Sequence, residues 1–352
     1  MIKRLFRFVV WSIAALLVAV LLLLSPVAYT ELACHGDVEE NSYLSFLAKE
    51  HHRNEAATFL TYPEWDIVHA YDDYAKVLET GDPHDFGYVS SVVGFWSSLC
   101  ALTQKADAHG GADSATKMMV YTIGVSFTAE LAFKALYEES FGRVFTWFRG
   151  ADHSALDSAS AEMARNYAGF LTQVPWYKYD FKSDVDVLSK SKDGSLRDWE
   201  RDLALGIEFS SKSAYAQVIT QAVAATGQAK LSIRSIIEGL TQQQLLSIDQ
   251  VTVIGPSATG FEIETPRYRI FTHILEEIAL VGGRVVEIAG NDDIMLTVLG
   301  PLPAIHPEAL TQLKRQGYGD QRALLSVSVA ELAGTLLAIK EGPWRLEHVH
   351  DY

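Results

Sequence analysis

Uncharged stretches of different lengths dominate the first 140 residues, and the longest lies near the N-terminus. Residues 8–30 carry no charged side chain. At about 1.5 Å per residue, such a helix crosses a hydrocarbon core of about 30 Å. Lys3, Arg4 and Arg7 precede it, and a basic flank stays in the cytoplasm. The pattern predicts an uncleaved single-pass anchor in a bacterial inner membrane, with the bulk of the chain outside the cytoplasm. A cleaved signal peptide is the alternative.

A second uncharged run, residues 86–104, is also long enough to span a membrane. Its four serines and two glycines favour instead a buried helix of a water-soluble bundle, or a helix packed tightly on a partner. We therefore predict that this segment lies within a helical domain.

Residues 118–137 form a third apolar stretch, which is uncharged until Glu130 and Lys134. The uncharged part is too short to cross a bilayer, and placing either charge in lipid costs about 2.5–3.5 kcal/mol. The pattern predicts a core helix with a polar end. The alternative is a polytopic protein in which 86–104 and 118–137 form a membrane hairpin, with a transport or relay site around Glu130 and Lys134.

One seven-residue pattern occurs at 124–130 and again at 206–212: Gly, aliphatic, any residue, Phe, hydroxyl, small, charged. It suggests two similar helices packed side by side, with the glycines allowing close approach. Glu208 and Lys212 repeat the four-residue spacing of Glu130 and Lys134, so these four residues are a candidate polar network and binding site. Two ordinary surface pairs, each worth about 0.2–0.5 kcal/mol, are the alternative.

The best candidate metal ligands lie on a helix predicted for residues 61–78, in which Thr61 and Glu64 form a capping box. His69 and Asp73 are one turn apart on it. With Glu64, and with His51 or His52 in addition, they offer imidazole and carboxylate, which suit zinc or manganese. A metal-dependent hydrolase using Glu64, His69 and Asp73 is therefore one hypothesis. An acidic helix without any metal is the ordinary alternative.

Short apolar runs replace helical periods from about residue 248 onwards. The predicted order is β-α-β-β-(α)-β-α-β, with a hairpin turn at 290–292 and a short helix at 308–316. It predicts a ferredoxin-like α+β domain, an antiparallel sheet with helices on one face. On the last strand, His348 and His350 share a face and so either reach one metal ion or face solvent.

The chain is thus predicted to have three parts within an α+β fold class. Residues 1–30 are an N-terminal transmembrane helix, 31–230 a mainly α-helical bundle domain, and 248–352 the small α+β domain.

The composition excludes some classes of function. The 352 residues carry a formal net charge of −15, which repels phosphate backbones, so we expect no nucleic-acid partner. No phosphate loop, dinucleotide fingerprint or nucleophile elbow occurs, and no cofactor is predicted. Cys34 and Cys100 either pair outside the cytoplasm or remain two buried thiols.

Four short segments resemble a family of uncharacterised bacterial membrane proteins. They are 61–65 (TYPEW), the Gly-x-Ser-Phe-x-x-Glu motif at 124–130, 199–201 (WER), and 346–348 (LEH) with 351–352 (DY). The resemblance implies membrane association and no particular activity. The leading hypothesis is a non-enzymatic binding, sensing or assembly protein of the bacterial envelope. Residues 8–30 contact the lipid bilayer, and a protein partner or small ligand binds the C-terminal domain.

Overall fold

A computed structural model describes residues 2–40, 42–192, 194–226 and 231–351. It begins with a long helix, α1 (Ile2–Ala33). Within it, Phe6–Ala33 has a mean hydropathy of 2.8, and none of the residues in its most apolar window is buried. By length and composition this segment is able to cross a membrane. Ser114–Arg149 passes the same test, but it is partly buried against other helices.

Eight further helices form the helical region. They are α2 (Glu55–Thr61), α3 (Pro63–Leu78), α4 (Tyr88–Asp107), α5 (Ser114–Tyr137), α6 (Arg143–Arg149), α7 (Ala155–Leu171), α8 (Phe181–Lys190) and α9 (Leu196–Thr226). A π-helical turn, Glu138–Gly142, joins α5 to α6. Helix α3 packs against α4, α5 and α7, and so it lies at the centre of this region.

The predicted capping box of Thr61 and Glu64 is wrong. Asn54 caps α2 instead, accepting a hydrogen bond from Ala57 N at 2.9 Å. Tyr62 joins α2 to α3 with a helical backbone conformation, so no helix begins at Thr61 that would need a cap.

Two four-stranded antiparallel sheets follow the helical region. The first half consists of β1 (Ser232–Glu238), α10 (Gln242–Ser247), β2 (Thr252–Pro256), β3 (Phe261–Pro266), α11 (Arg269–Leu280) and β4 (Arg284–Ile288). The second half consists of β5 (Asp293–Pro301), β6 (Ala309–Lys314), β7 (Asp320–Ser328), α12 (Val329–Glu341) and β8 (Arg345–His350). The strand orders are β2-β3-β1-β4 and β6-β7-β5-β8. The second half therefore repeats the order of the first, without a counterpart of α10.

One hydrophobic core joins the two halves. It contains Ile263 of β3, Phe271 of α11, Leu296 of β5 and Leu332 of α12, together with many aliphatic neighbours. The opposite face of the second sheet, with Met295 and Leu324, packs against the helical region. The second sheet is thus covered on both faces.

The structure confirms a mixed fold with an N-terminal apolar helix, a helical region and antiparallel sheets, but it corrects three predictions. The sheets begin with β1 at Ser232, not near 248. The turn at 290–292 is no hairpin, since β4 and β5 belong to different sheets and only Ile288 and Asn291 form a bridge. Residues 308–316 contain strand β6, not a helix. Strands β1 and β5 pair with strands distant in sequence, which a local pattern does not show, whereas β6 pairs with the next strand, β7, across a short turn.

A disulfide between Cys34 and Cys100 ties the end of α1 to α4. Beside it, Tyr121 of α5 donates a hydrogen bond to Glu31 at 2.6 Å, and Lys117 Nζ lies 3.6 Å from the same carboxylate. The base of α1 is therefore fixed covalently and by polar contacts to the helical region.

Candidate functional site

The four charged residues predicted as a network do come together. Lys134 Nζ lies 2.9 Å from Glu208, and Lys212 Nζ lies 2.9 Å from Glu130 and 3.0 Å from Glu208. Tyr71 of α3 donates to Glu130 at 2.5 Å and accepts from Lys212 at 3.0 Å. The register pairs later residues of α5 with earlier residues of α9, so the two helices run antiparallel.

This network is balanced in charge. Burial raises the pKa of Glu208, but Lys134 and Lys212 outweigh burial and lower the pKa to about 2. Each of the two carboxylates and two ammonium groups already has a partner of opposite charge, so an ionic ligand would have to break a pair. The binding role of these residues stays a prediction, and the contacts indicate a cross-link between α3, α5 and α9.

The glycines of the repeated pattern do not form the contact between α5 and α9. A Cβ on Gly124 would lie 2.4 Å from the ring of Phe95 on α4, whereas a Cβ on Gly206 would meet nothing within 4 Å. The close approach is therefore between α5 and α4. Charged side chains, not glycines, join α5 to α9.

The sequence did not reveal a second buried ionic cluster. Arg201, one of the largest fully buried side chains, donates to Glu138 at 2.9 Å and to Glu200 at 2.5 Å. Arg197 donates to Asp157 at 2.9 Å and to Glu200 at 2.8 Å. The sequence 199–201 supplied the only signal, in the resemblance, and it gave no hint of burial. The cluster joins α7 and α9 to the π-helical turn after α5.

The three predicted metal ligands are not assembled into one site. His69 and Asp73 are buried against the second sheet, whereas Glu64 is exposed. Asp73 accepts a hydrogen bond from Gln316 N at 2.9 Å, and burial raises its pKa to about 7. His69 Nε2 lies 3.8 Å from Glu347. Among the described residues, this trio is not one of the groups whose ligand atoms lie within 4.8 Å of one another.

His348 and His350 share a face, but an aromatic side chain lies against them. The ring of Trp65 on α3 lies 4.5 Å from that of His348 and 5.1 Å from that of His350, centroid to centroid. Burial lowers the pKa of His348 to about 4. Burial also lowers the pKa of His350, and the nearby Arg322 acts in the same direction. Both imidazoles are thus neutral at pH 7 and pack as part of the joint between α3 and β8.

A third histidine bridges two carboxylates. His109 Nδ1 lies 3.0 Å from Glu55, and its Nε2 lies 3.4 Å from Asp293. These ligand atoms are close enough to hold a metal ion. Hydrogen bonds to Asp293 and Glu55 raise the pKa of His109 to about 9, and Lys105 Nζ lies 2.8 Å from Asp293. Two cations therefore already balance the two carboxylates, as in an ion-pair cluster.

A cleft of about 500 Å³ lies between the helical region and the first sheet. One wall is the segment before α2 and α2 itself, and includes His51, His52 and Arg53. The other wall is the outer face of β1 and β3, with Arg234 and Glu264. Volumes of about 300–1,000 Å³ are typical of small-molecule sites.

Hydrogen bonds attach the segment before α2, which forms the first wall of the cleft, to the first sheet and to the turn after it. Glu287 of β4 accepts from Phe46 N at 2.7 Å and from Leu47 N at 3.2 Å. Arg53 N donates to Ala289 O at 2.8 Å, and Asn291 Nδ2 donates to Arg53 O at 3.0 Å. The backbone around Arg53 is therefore held rigidly at the mouth of the cleft.

The two arginines that line the cleft, Arg234 and Arg53, differ in their hydrogen-bonding partners. Arg234 donates to Glu262 at 2.6 Å and to Glu264 at 2.5 Å. Arg53 is half-buried, and its guanidinium has no hydrogen bond or ion pair within the described ranges. Burial lowers the pKa of Arg53, and the neighbouring Arg267 adds to this effect. The carboxylate of Asp351 acts in the opposite direction and raises the pKa, but it forms no ion pair with Arg53, so the guanidinium keeps its hydrogen-bonding capacity for a ligand.

Comparison of the chain with protein-family models, with curated proteins and with solved structures finds no match.

Proposed function

We propose that the chain is a membrane-anchored binding protein of the bacterial envelope, and that the cleft beside Arg53 takes a small anionic ligand. The cleft carries this proposal, because it combines the volume of a small-molecule site with the Arg53 guanidinium, which has no hydrogen bond or ion pair within the described ranges. Guanidinium groups bind carboxylate and phosphate through paired hydrogen bonds. Thr58 and Thr61 lie on the same wall, but their hydroxyls already donate to the carbonyls of Asn54 and Thr58, so the guanidinium is the donor that the proposal uses.

The proposed location rests on α1 and on the disulfide. Phe6–Ala33 exposes apolar side chains on all sides, a surface that lipid accommodates and water does not. Arg4 before this segment and Arg7 at its start favour a cytoplasmic N-terminus. The disulfide Cys34–Cys100 favours an oxidising compartment for the region after α1. A single pass, with the bulk of the chain outside the cytoplasm, accounts for these three features.

The strand order supports a finer description of the sheets. Each half has the order of a β-α-β-β-α-β unit with antiparallel neighbours, and the first half has both helices of that unit. We assign both halves as ferredoxin-like units, the second without its first helix. The single domain predicted from sequence thus becomes a pair.

Arg53→Gln tests the binding proposal in the full chain reconstituted in nanodiscs. The probes are citrate, succinate and inorganic phosphate, titrated by isothermal calorimetry. We expect at least one probe to bind the wild type, and Arg53→Gln to weaken that binding about 10- to 100-fold, since a hydrogen bond to a charged group contributes about 1.5–3 kcal/mol.

Arg284→Gln is the matched control, because Arg284 lies on β4 with its side chain 66% exposed and is not part of the cleft. Its affinity for each probe should equal that of the wild type. If no probe binds, or if both variants lose affinity equally, the cleft is not an anion site.

A reporter fused after Tyr352 tests the location. An exported phosphatase should be active there, and a fluorescent protein that matures only in the cytoplasm should be dark. The reverse result contradicts the single pass. The alternative in which 86–104 and 118–137 cross the membrane, with Glu130 and Lys134 in a relay, adds two crossings and returns the chain to the same side, so this reporter does not separate it from the single pass.

A further inference from the structure

The helical region has an exposed apolar band along α5, α6 and α9. Its members are large apolar side chains, each about half or more exposed: Phe133 72%, Leu136 69%, Phe141 62%, Val144 49%, Trp147 76%, Phe148 63%, Leu196 57%, Trp199 59%, Leu203 50% and Ile207 62%. Contacts of α6 with α9 and of Lys134 with Glu208 place these three helices side by side. We call this surface the apolar band.

Most charged residues of α5 and α9 turn inward, whereas Arg143 of α6 is exposed and pairs with the exposed Glu139 of the π-helical turn. On α5, Lys117 faces Glu31, Glu130 faces Lys212, and Lys134 faces Glu208. Residues 118, 119, 122, 126, 132, 133 and 136 make up the exposed side of α5 after Lys117, and all are uncharged. This distribution reverses the ordinary arrangement of a helix at a water-facing surface, where charges lie outside and apolar groups inside.

The exposed side of α5 begins where α1 leaves the helical region. Glu31, near the end of α1, contacts both Lys117 and Tyr121, and the exposed Met118 follows directly. If α1 is in the bilayer, the disulfide and these contacts hold the start of α5 at the membrane surface. The exposed, uncharged side of α5 therefore runs from the base of α1 to the band, through Thr122 and Ser126.

The band also points away from the second sheet. Helix α3 lies between them, since Tyr71 contacts Glu130 and Lys212 on one side and His69 approaches Glu347 of β8 on the other. Residues two apart in a helix point in nearly opposite directions. The second sheet and the band are thus on opposite sides of α3.

We propose that the apolar band rests on the lipid bilayer, so that α5, α6 and α9 lie in the interfacial layer beside α1. The inner side of α5 is committed to α3, α4 and the ion pairs with α9, so α5 lies on the bilayer without crossing it. Trp147 and Trp199 belong to the side-chain type enriched at membrane interfaces. A helix with one apolar side and low net charge on it is suited to this position.

Spin labels on single added cysteines test the proposal in the full chain, reconstituted in vesicles of phosphatidylethanolamine and phosphatidylglycerol. Cys34 and Cys100 are paired, so the added cysteine is the free thiol. The test positions are Phe133→Cys, Phe148→Cys and Ile207→Cys. Oxygen concentrates in lipid, whereas a nickel chelate stays in water. We expect the ratio of oxygen collisions to nickel collisions to be several-fold higher at these positions than at a water-exposed site.

Two controls bracket the measurement. Ile305→Cys is the matched control in water, since Ile305 is an exposed isoleucine (83%) between β5 and β6; it should favour the nickel chelate. Leu17→Cys in α1 should favour oxygen. The inference rests on the anchor in the proposed function, and these controls separate the two: nickel access at Leu17 defeats the anchor and the inference together.

Oxygen access at Leu17 with nickel access at all three test positions defeats the inference alone. A third outcome identifies another occupant. Spin–spin broadening at the test positions that disappears on dilution with unlabelled chain would show a second copy covering the band, and this also overturns the membrane contact.

Discussion

At the residue scale, identical sequence patterns have different surroundings. Gly124 and Gly206 occupy the same place in the repeated seven-residue pattern, yet only Gly124 is packed, against the rings of Phe95 and Trp96. The pattern by itself carries no information about which neighbour a helix meets. What distinguishes the two glycines is tertiary packing.

Alanine at these two positions should change stability in opposite directions. Gly124→Ala forces a methyl group into the Phe95 ring and should cost about 1–3 kcal/mol. Gly206→Ala has open space and replaces a flexible residue within a helix, so it should stabilise by about 0.5–1 kcal/mol. Urea unfolding of the full chain in detergent, followed by circular dichroism, measures both. Equal effects of the same sign would contradict the packing described for Gly124.

The predicted charge network shows how far residue-level analysis reaches. The four-residue spacing in each helix was visible in the sequence, and the structure brings all four residues together. The partner of each charge was not predictable, because Lys134 pairs across helices with Glu208. Tyr71, which bonds to both ends of the network, gave no sequence signal. Arg53 was missed for a related reason, since the cleft forms only when the chain meets β1 and β3.

At the element scale, the long helices were the easiest to predict and the strands the hardest. Helix α7 begins after Ser154, which caps it together with Asp157, as a local pattern predicts. Strands β1 and β6 were missed, and β4 and β5 were paired wrongly. A strand gains its hydrogen bonds from partners elsewhere in the chain, so its neighbours are invisible in a local window.

The joint of three elements at His109 should make stability depend on pH. The imidazole lies in the turn after α4 and bridges Glu55 at the start of α2 and Asp293 at the start of β5. Its pKa is raised to about 9, against about 6.5 in an unfolded chain. The stabilisation, about 3 kcal/mol by linkage, is fully present below about pH 6.5 and is lost as the pH rises through 9.

His109→Gln should remove this dependence. We expect the difference in the free energy of unfolding between pH 6 and pH 9.5 to shrink in the variant, measured by urea unfolding. His273→Gln, at a side chain that is 62% exposed, should keep the wild-type difference. The same pH dependence in His109→Gln as in the wild type would show that His109 does not hold the joint.

At the scale of the whole molecule, the coarse plan was predictable and the boundaries were not. The N-terminal apolar helix, a helical region and a mixed C-terminal region follow from hydrophobic periods. Hydrophobic periods do not predict where the sheets begin, that the strand order is repeated, or that the second sheet is buried between two layers. Each of these features depends on contacts between distant segments. The sequence also left open whether Cys34 and Cys100 pair, since the bond needs α1 and α4 to meet.

Replacing both cysteines by serine should loosen the anchor from the helical region. The bond closes a loop with a sequence separation of 66, for which chain entropy gives a contribution of about 4 kcal/mol. Cys34→Ser/Cys100→Ser should therefore lower the unfolding midpoint of the full chain in detergent. A reducing agent should have the same effect on the wild type and none on the variant. A wild-type midpoint that is insensitive to reduction would contradict this.

The repeated β unit has a consequence for how the molecule divides its tasks. On the second sheet, the face away from the shared core is occupied by the helical region, through Met295 and Leu324. On the first sheet, the corresponding face carries Arg234 and Glu264 and borders the cleft. The second sheet thus attaches the β units to the helical region, whereas the outer face of the first sheet remains beside the cleft. Substitutions on this outer face of the first sheet can alter recognition in the proposed binding cleft without loosening the contact between the second sheet and the helical region. The first sheet is therefore free to vary its specificity, while the second must keep its packing.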